Sequence, residues 1–286
     1  MTIFAKIKIS MKKIFLFICL LIISNTYAQK EEKIKGSKIV TIERKEIESF
    51  NTLEVEQDFE VLLIKGSKAN VEVEADDNLH EVITKEVIGG VLYIRKNKKI
   101  TRFKKLSIRI TYDDTLRTIN GRNKSKITAL ESIKLKELQV NGFEDAELFL
   151  NAEVNKFSIN LNDKSSTELN LKADTIRVVL DKNAKMKALL NAKKINFDMY
   201  QKTTAVIEGD CEELKLRMDN NAKFTGQKLV TKKLFVLAEM SSRSYIQHLE
   251  SALVEARGKA EIYFYGNGKI NLNVFEGEAS IYKKQL

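Results

Sequence analysis

The stretch Phe157-Ser158-Ile159-Asn160-Leu161, Asn162-Asp163-Lys164, Ser165-Ser166-Thr167-Glu168-Leu169-Asn170-Leu171 places apolar residues at every second position on both sides of a polar triplet. Period two broken by turn-forming residues describes two short strands, not a helix. The next nineteen residues repeat the statement: Ile176, Val178 and Leu180, then Asp181-Lys182-Asn183, then Ala184, Met186, Ala188 and Leu190. Working outward, the residues that open each unit are Leu138, Phe157, Ile176, Ile195, Leu214, Leu234, Leu253 and Ile270. A second column holds only small residues: Ala146, Ser165, Ala184, Thr203, Ala222, Ser242, Ala260 and Ala279. Both columns step by 17–20 residues, almost always 19, over eight units. A fixed period of this length marks a repeat architecture.

One pair of strands cannot bury its apolar face alone. Stacked on its neighbours, each strand pairs in parallel with its copy one repeat away, and the inward residues join into a continuous core. The expected fold is all-β, a parallel β-solenoid of the right-handed β-helix kind with rungs of about 19 residues. The small column sits just past each turn, where a bend leaves no room for a larger side chain. Eight rungs at the usual strand spacing make a rod of about 34 Å.

Residues 1–28 have the composition of an export signal: Lys6, Lys8, Lys12 and Lys13, the apolar run Ile14–Ile23, and a small-residue cleavage site ending at Ala28. Met11 is an alternative start. The apolar run of ten is too short to span a bilayer, which takes about 20 residues. Cleavage after Ala28 leaves 258 residues with 45 basic and 39 acidic side chains, a net charge of +6. For an exported chain this favours anionic glycans or lipid head groups as partners over nucleic acid. One cysteine remains, Cys211, so no internal disulfide is available. Proline is absent throughout, as suits a body of interior strands whose residues must all donate to a ladder.

Residues 29–37 read as a polar linker, and 121–286 as the solenoid repeats. Between them, 38–120 alternates without a strict repeat and forms an irregular β-rich part, either a cap or a set of opening rungs. Within it Asp76–Ile83 reads as one short helix capped by Asp76 or Asp77.

The order of elements in this part resembles a known family. Phe50-x-x-Leu53-x-Val55 is followed by Phe59-x-Val61-x-Leu63-Ile64-x-Gly66 and Val71-Glu72-Val73-Glu74-Ala75-Asp76-Asp77-Asn78. Then come the short helix, Gly89-Gly90-x-Leu92-x-Ile94, Ile108-x-Ile110, and Leu116-x-x-Ile119-Asn120-Gly121 ahead of the repeats. This layout is similar to the head GIN domain family of auto-transporter adhesins, common in Bacteroidetes. The resemblance implies an exported β-solenoid with an adhesin-like role at the periplasm, outer membrane or cell surface. It supplies no catalytic residue.

Chemistry-bearing patterns are sparse. Asp145, Asp163, Asp181 and Asp219 fall at different offsets from the small column and do not converge as the paired acids of a β-helix lyase or hydrolase would. His80 reads as a helix-surface residue and His248 as a turn residue. No zinc spacing, phosphate loop or nucleophile elbow is present. Cys211 lies beside Glu212-Glu213, which disfavour a thiolate. We therefore expect no catalytic, cofactor-binding or metal-binding residue. A polysaccharide-acting enzyme is the runner-up, and a purely structural envelope protein the third reading.

Three surface patterns remain. Asp174, Lys193, Glu212 and Lys232 recur with alternating sign, as a ligand surface or, more simply, as cross-strand pairs that pin the register. Arg95, Lys96, Lys98, Lys99, Arg102, Lys104 and Lys105 concentrate seven bases without an acid. They form either a solvated loop or a patch for anionic glycan. Three residues past the small column stand Tyr245, Tyr263 and Tyr282, in a column that earlier holds Phe149, Glu168, Lys187, Val206 and Thr225. Alternation points this column outward, with Phe235, Leu237 and Val254 expected to face out on the other strand. A stacked outward aromatic strip either braces the last rungs or contacts a glycan or protein of the envelope.

Overall fold

The computed structural model describes residues 32–285. The expected signal peptide lies outside the described residues, as does the start of the linker. Strands make up 68% of the structure, in a parallel β-solenoid of about nine turns.

In the regular body, single strands of fifteen residues such as Glu147–Leu161, Ser166–Leu180 and Lys185–Met199 span two legs of a rung. They bend at one residue left out of the ladder: Asn155, Asp174, Lys193 and Glu212 in successive rungs. The alternating charge column is thus the corner column, and Lys193 Nζ lies 2.7 Å from Asp174. After each rung comes a tight turn whose middle residue is left-handed. Glu144, Asp163, Lys182, Gln201 and Met240 have φ of +55° to +61°, and each stands two residues before a member of the small column. That column is buried from Ala146 to Ala260, because the left-handed turn folds the chain back over its Cβ.

Inward faces stack like on like. Phe157, Ile159 and Leu161 lie under Ile176, Val178 and Leu180, and these under Ile195, Phe197 and Met199. All are buried. At roughly 1.5–3 kcal/mol per large apolar side chain, this column is the main source of stability for a body whose one described cysteine, Cys211, is free.

The register departs from expectation near the C-terminus. Leu234 pairs with Ala252, not Leu253, after irregularities between Gly226 and Val230 and between Thr231 and Lys233. A shift of one residue reverses every side chain. Val254 is therefore fully buried, and Leu253 takes the outward place at 43% exposure. Phe235 and Leu237 are half-buried on the outer face.

The N-terminal part is both cap and opening rungs. Thr52–Val55 and Glu60–Lys65 form a true rung beneath Thr118–Gly121 and Lys126–Ala129. Val91–Lys96 and Leu106–Tyr112 form the outermost one, so stacking order differs from chain order. Antiparallel strands then cover that rung: Ile83–Ile88 on one side, Asn70–Asp76 followed by Val40–Glu46 on the other. Lys33–Lys35, expected within the linker, pairs in parallel with Lys99–Thr101 and ties this part of the chain to the body.

The expected helix is a 3-10 turn, Asp77–Val82. Asp76 precedes it but does not cap it. Its carboxylate accepts backbone N–H bonds from Lys38, Lys104 and Lys105 at 2.9–3.1 Å. Burial raises its pKa, and these bonds more than offset the rise, leaving it lowered. One buried acid thus ties its own strand to two other segments, at Lys38 and at Lys104-Lys105.

Candidate functional site

Alternation within Arg243–Ala256, Glu261–Tyr265 and Ser280–Lys283 turns Tyr245, Tyr263 and Tyr282 outward in register, beyond Thr225. The rings stack face to face, with centroids 4.7 Å apart at both steps and planes within 15°. The spacing is that of the strands themselves. Each stacked face is covered by its neighbour, so the strip presents ring edges and hydroxyls. The exception is Tyr282, 41% exposed at the end of the row. Tyr263 donates its hydroxyl to Glu261 Oε2 at 2.9 Å, and that bond raises the pKa of the phenol. Arg243 grips the same carboxylate with two bonds of 2.7 and 2.8 Å. The hydroxyls of Tyr245 and Tyr282 have no protein partner among the described residues. The same column continues backward into an open groove of about 510 Å³ lined by Phe149, Glu168, Lys187, Leu189 and Val206.

The basic segment looks different in space than in sequence. Arg95 pairs with Glu86, Lys96 with Asp58, Lys98 with Glu32 and Lys105 with Glu74. Arg95 and Lys96 also lie over the rings of Tyr93 and Phe59. Lys99, Arg102 and Lys104 make no ion pair among the described residues, so the seven bases carry far less free charge than their density suggests.

Both histidines differ from expectation. His80 is on the 3-10 turn but lies under Val40–Glu46, with Nε2 2.9 Å from Thr41 Oγ1. His248 is not a turn residue: it is fully buried, edge-on to Phe264 at 5.2 Å, and neither ring nitrogen has a partner. Alternation from Ser242 through Ser244 and Ile246 turns it inward, and Gly268 makes room, since a Cβ there would lie 2.4 Å from the imidazole. Cys211 is buried two rungs below, and burial first of all pushes its thiol up to about 11. Among the described residues no three His, Cys, Asp or Glu side chains group as metal ligands.

One ladder escaped the sequence reading. Asn160 donates to Asn141, Asn141 to Asn120, and Asn120 to Glu54, at 2.7–2.9 Å. The signal was available, because Asn141 and Asn160 each stand three residues after a unit opener. Gly121 and Gly142 follow two of these asparagines on the inward side; a Cβ on Gly142 would meet Leu161 at 2.8 Å.

Residues 49–268 match the family model described as "Putative auto-transporter adhesin, head GIN domain". Among solved structures, a "putative adhesin" from Parabacteroides merdae is similar at 16% identity and TM-score 0.64, over 88% of this chain and 99% of that one. A "putative adhesin" from Parabacteroides distasonis gives 17% and 0.64, over 88% and 100%. A "Putative lipid binding protein" from the same species gives 15% and 0.65, over 88% and 100%. At these identities the likeness is one of fold. No curated protein matches the chain. Among the described residues no helix is long and apolar enough to cross a membrane.

Proposed function

The chain belongs to the head GIN domain family of adhesins, and on that premise we propose that it is an exported, non-enzymatic binding module that engages an envelope or cell-surface glycan or protein through its tyrosine strip. The observation that carries this reading is the in-register stack of Tyr245, Tyr263 and Tyr282 on the outer face. Because the ring faces of Tyr245 and Tyr263 are occupied by stacking, the ligand is met by edges and hydroxyls. This suits a polar polymer laid along the rod better than a single sugar stacked on one ring. The groove from Phe149 to Val206 continues the track toward the N-terminus. An anionic-glycan contact at Lys99, Arg102 and Lys104 is secondary, since the other four bases are neutralised.

The test is adhesion of the mature protein to cells or isolated envelope, with the triple variant Tyr245→Ala, Tyr263→Ala, Tyr282→Ala beside wild type. The variant should stay folded, with a melting temperature lowered by only a few degrees, and lose more than about tenfold in binding, as central contact aromatics do. Equal binding by the two proteins would reduce the strip to packing.

A further inference from the structure

Between the two legs of the outermost rung, Lys99–Thr101 pairs with Lys33–Lys35 in a small separate sheet. Ile100 is buried and Ile34 packs against the core, so the opposite face of the ribbon belongs to Lys33, Lys35 and Lys99. Lys33 lies directly across from Lys99, a like-charge pairing that weakens a ladder. Gly36 lets the ribbon close on the next segment, since a Cβ there would meet Phe103 Cα at 2.7 Å. Around Asp76 two segments then repeat one motif. Lys38 and Arg102 are both left-handed, with φ of +72° and +54°, and each is followed by an exposed apolar residue, Ile39 at 62% and Phe103 at 44%. The N–H groups of Lys38 and Lys104 bind the one Asp76 carboxylate, which holds the two segments side by side. Lys33, Lys35, Lys38, Lys99, Arg102 and Lys104 are all exposed and make no ion pair among the described residues. Glu32 is taken by Lys98, Glu74 by Lys105, and Asp77 by the Ser37 hydroxyl and the Asn78 N–H. Residues 1–31 hold a single acid, Glu31, against these six bases.

We propose that this face docks on an anionic membrane surface, with the six bases among the phospholipid head groups and Phe103 and Ile39 entering the interfacial layer. Clusters of about four to eight Lys or Arg are what an anionic bilayer attracts, each base adding about fivefold to the partition. The apolar pair decides between a bilayer and a soluble polyanion. A sulfated or uronic glycan would answer the bases but leave Ile39 and Phe103 in water, whereas an interface of head groups and acyl chains takes both. The isolated fold gains nothing from the strained backbone at Lys38 and Arg102, because the residues that follow are brought out into solvent. The like charges of Lys33 and Lys99 are equally without use until an anion lies between them. The site is independent of the tyrosine strip, which lies on the last rungs at the other end of the rod and stays free when the membrane is engaged.

Flotation of the mature chain with vesicles tests this, using phosphatidylglycerol and phosphatidylcholine in equal parts against phosphatidylcholine alone. Wild type should float only with the anionic vesicles. Lys33→Gln, Lys35→Gln and Lys99→Gln together should weaken that binding by about a hundredfold. Their melting temperature should be unchanged or raised, because a like-charge pair is removed. Taking the same three charges from the regular body, as Lys164→Gln, Lys185→Gln and Lys223→Gln, should cost less than about threefold. The chain has no tryptophan, so Phe103→Trp supplies a lone probe. Its emission should move to shorter wavelength when anionic vesicles are added, and that of Tyr282→Trp should not. No flotation, an equal loss in the body variant, or an unshifted Phe103→Trp would each overturn the proposal. Retention on heparin without vesicle binding would overturn it too, and would assign the bases to a soluble polyanion.

Discussion

At one end of the rod the outermost parallel strands, Val91–Lys96 and Leu106–Tyr112, are each covered by an antiparallel neighbour, whereas at the other Lys269–Phe275 and Ser280–Lys283 have no strand beyond them among the described residues. The N-terminal end is also locked from inside by Asp76, whose oxygens are bonded to two other segments, at Lys38 and at Lys104-Lys105. The C-terminal third holds the opposite features. All the breaks of register between rungs lie at or beyond Val206. Within Ser242–His248 three residues bury polar atoms without partners, whereas His80, Ser125 and Thr203 are single cases elsewhere among the described residues. Each such atom costs about 1–3 kcal/mol. In a stack where each rung touches only its neighbours, stability is a sum of local terms, so the rod should open from its C-terminal end.

The largest effect should come from the regular middle, on which both ends lean. Leu216 is buried and Lys215 beside it is exposed. Leu216→Asp loses about 1.5–3 kcal/mol of burial and adds the cost of an inward charge. Lys215→Asp should stay within about 0.5 kcal/mol of wild type. Thermal melts compare the two; coincident melting temperatures would refute the register assigned to this rung.

Acid should separate the ends. The pKa of His248 is lowered from its ordinary 6.5, chiefly by burial; the Gly268 backbone beside the ring acts the other way, and the charge of Lys283 adds to the lowering. Around the ring stand Phe264, Thr231 and the loop through Gly266 and Gly268, none of which offers an acid. The folded protein thus keeps the imidazole neutral while the unfolded chain takes a proton below pH 6.5. Stability from this residue is present above 6.5 and is lost as pH falls toward the lowered folded value, by at most about 1.4 kcal/mol per pH unit. Hydrogen exchange at pH 5 should show Arg243–Tyr265 opening before Val91–Tyr112, and His248→Leu should remove most of that difference. Equal opening at both ends would show that His248 does not govern the weak one.

How much of this could be read from the sequence follows from where the period holds. From Leu138 to Leu234 the spacing of apolar residues placed every strand face, and the small column marked each turn. The two columns also put the three tyrosines on one outward line, which the structure bears out. Past Leu234 the opener column gave Leu253, because leucine is a better-looking core residue than Ala252. Only the backbone irregularity around Gly226–Lys233 shows that the shorter step is the true one. His248 was legible, because it stands six residues past Ser242 on the inward alternation of Ser244 and Ile246, but its polarity suggested a turn. The neutralised basic segment was invisible for another reason: Asp58, Glu74, Glu86 and Glu32 come from four different strands or loops, and chain proximity carries no trace of them. Asp76 looked like a helix cap because it precedes the turn; its real partners are 28 to 38 residues away.

The smallest effect concerns the turns that join the rungs. Met240 has φ +55° and a side chain 57% exposed, so it adopts a left-handed conformation with little packing in return. The following two turns already place Gly258 and Gly277 at this point, with φ of +71° and +74°. A side chain with a Cβ pays about 1 kcal/mol or more in that region, while glycine pays a smaller entropy cost from the unfolded chain. Met240→Gly should therefore stabilise by about 0.5 kcal/mol, raising the melting temperature by about 1–2 °C. Lys182 is left-handed too, at φ +61°, but its Nζ lies 2.7 Å from Asp163 of the rung below. Lys182→Gly relieves the same strain and loses that contact, so its gain should be smaller or absent. Differential scanning calorimetry of the two variants resolves the contrast. If Lys182→Gly gains as much as Met240→Gly, the corner and turn charges of the regular body contribute nothing to its advantage over the C-terminal rungs, and burial alone accounts for it.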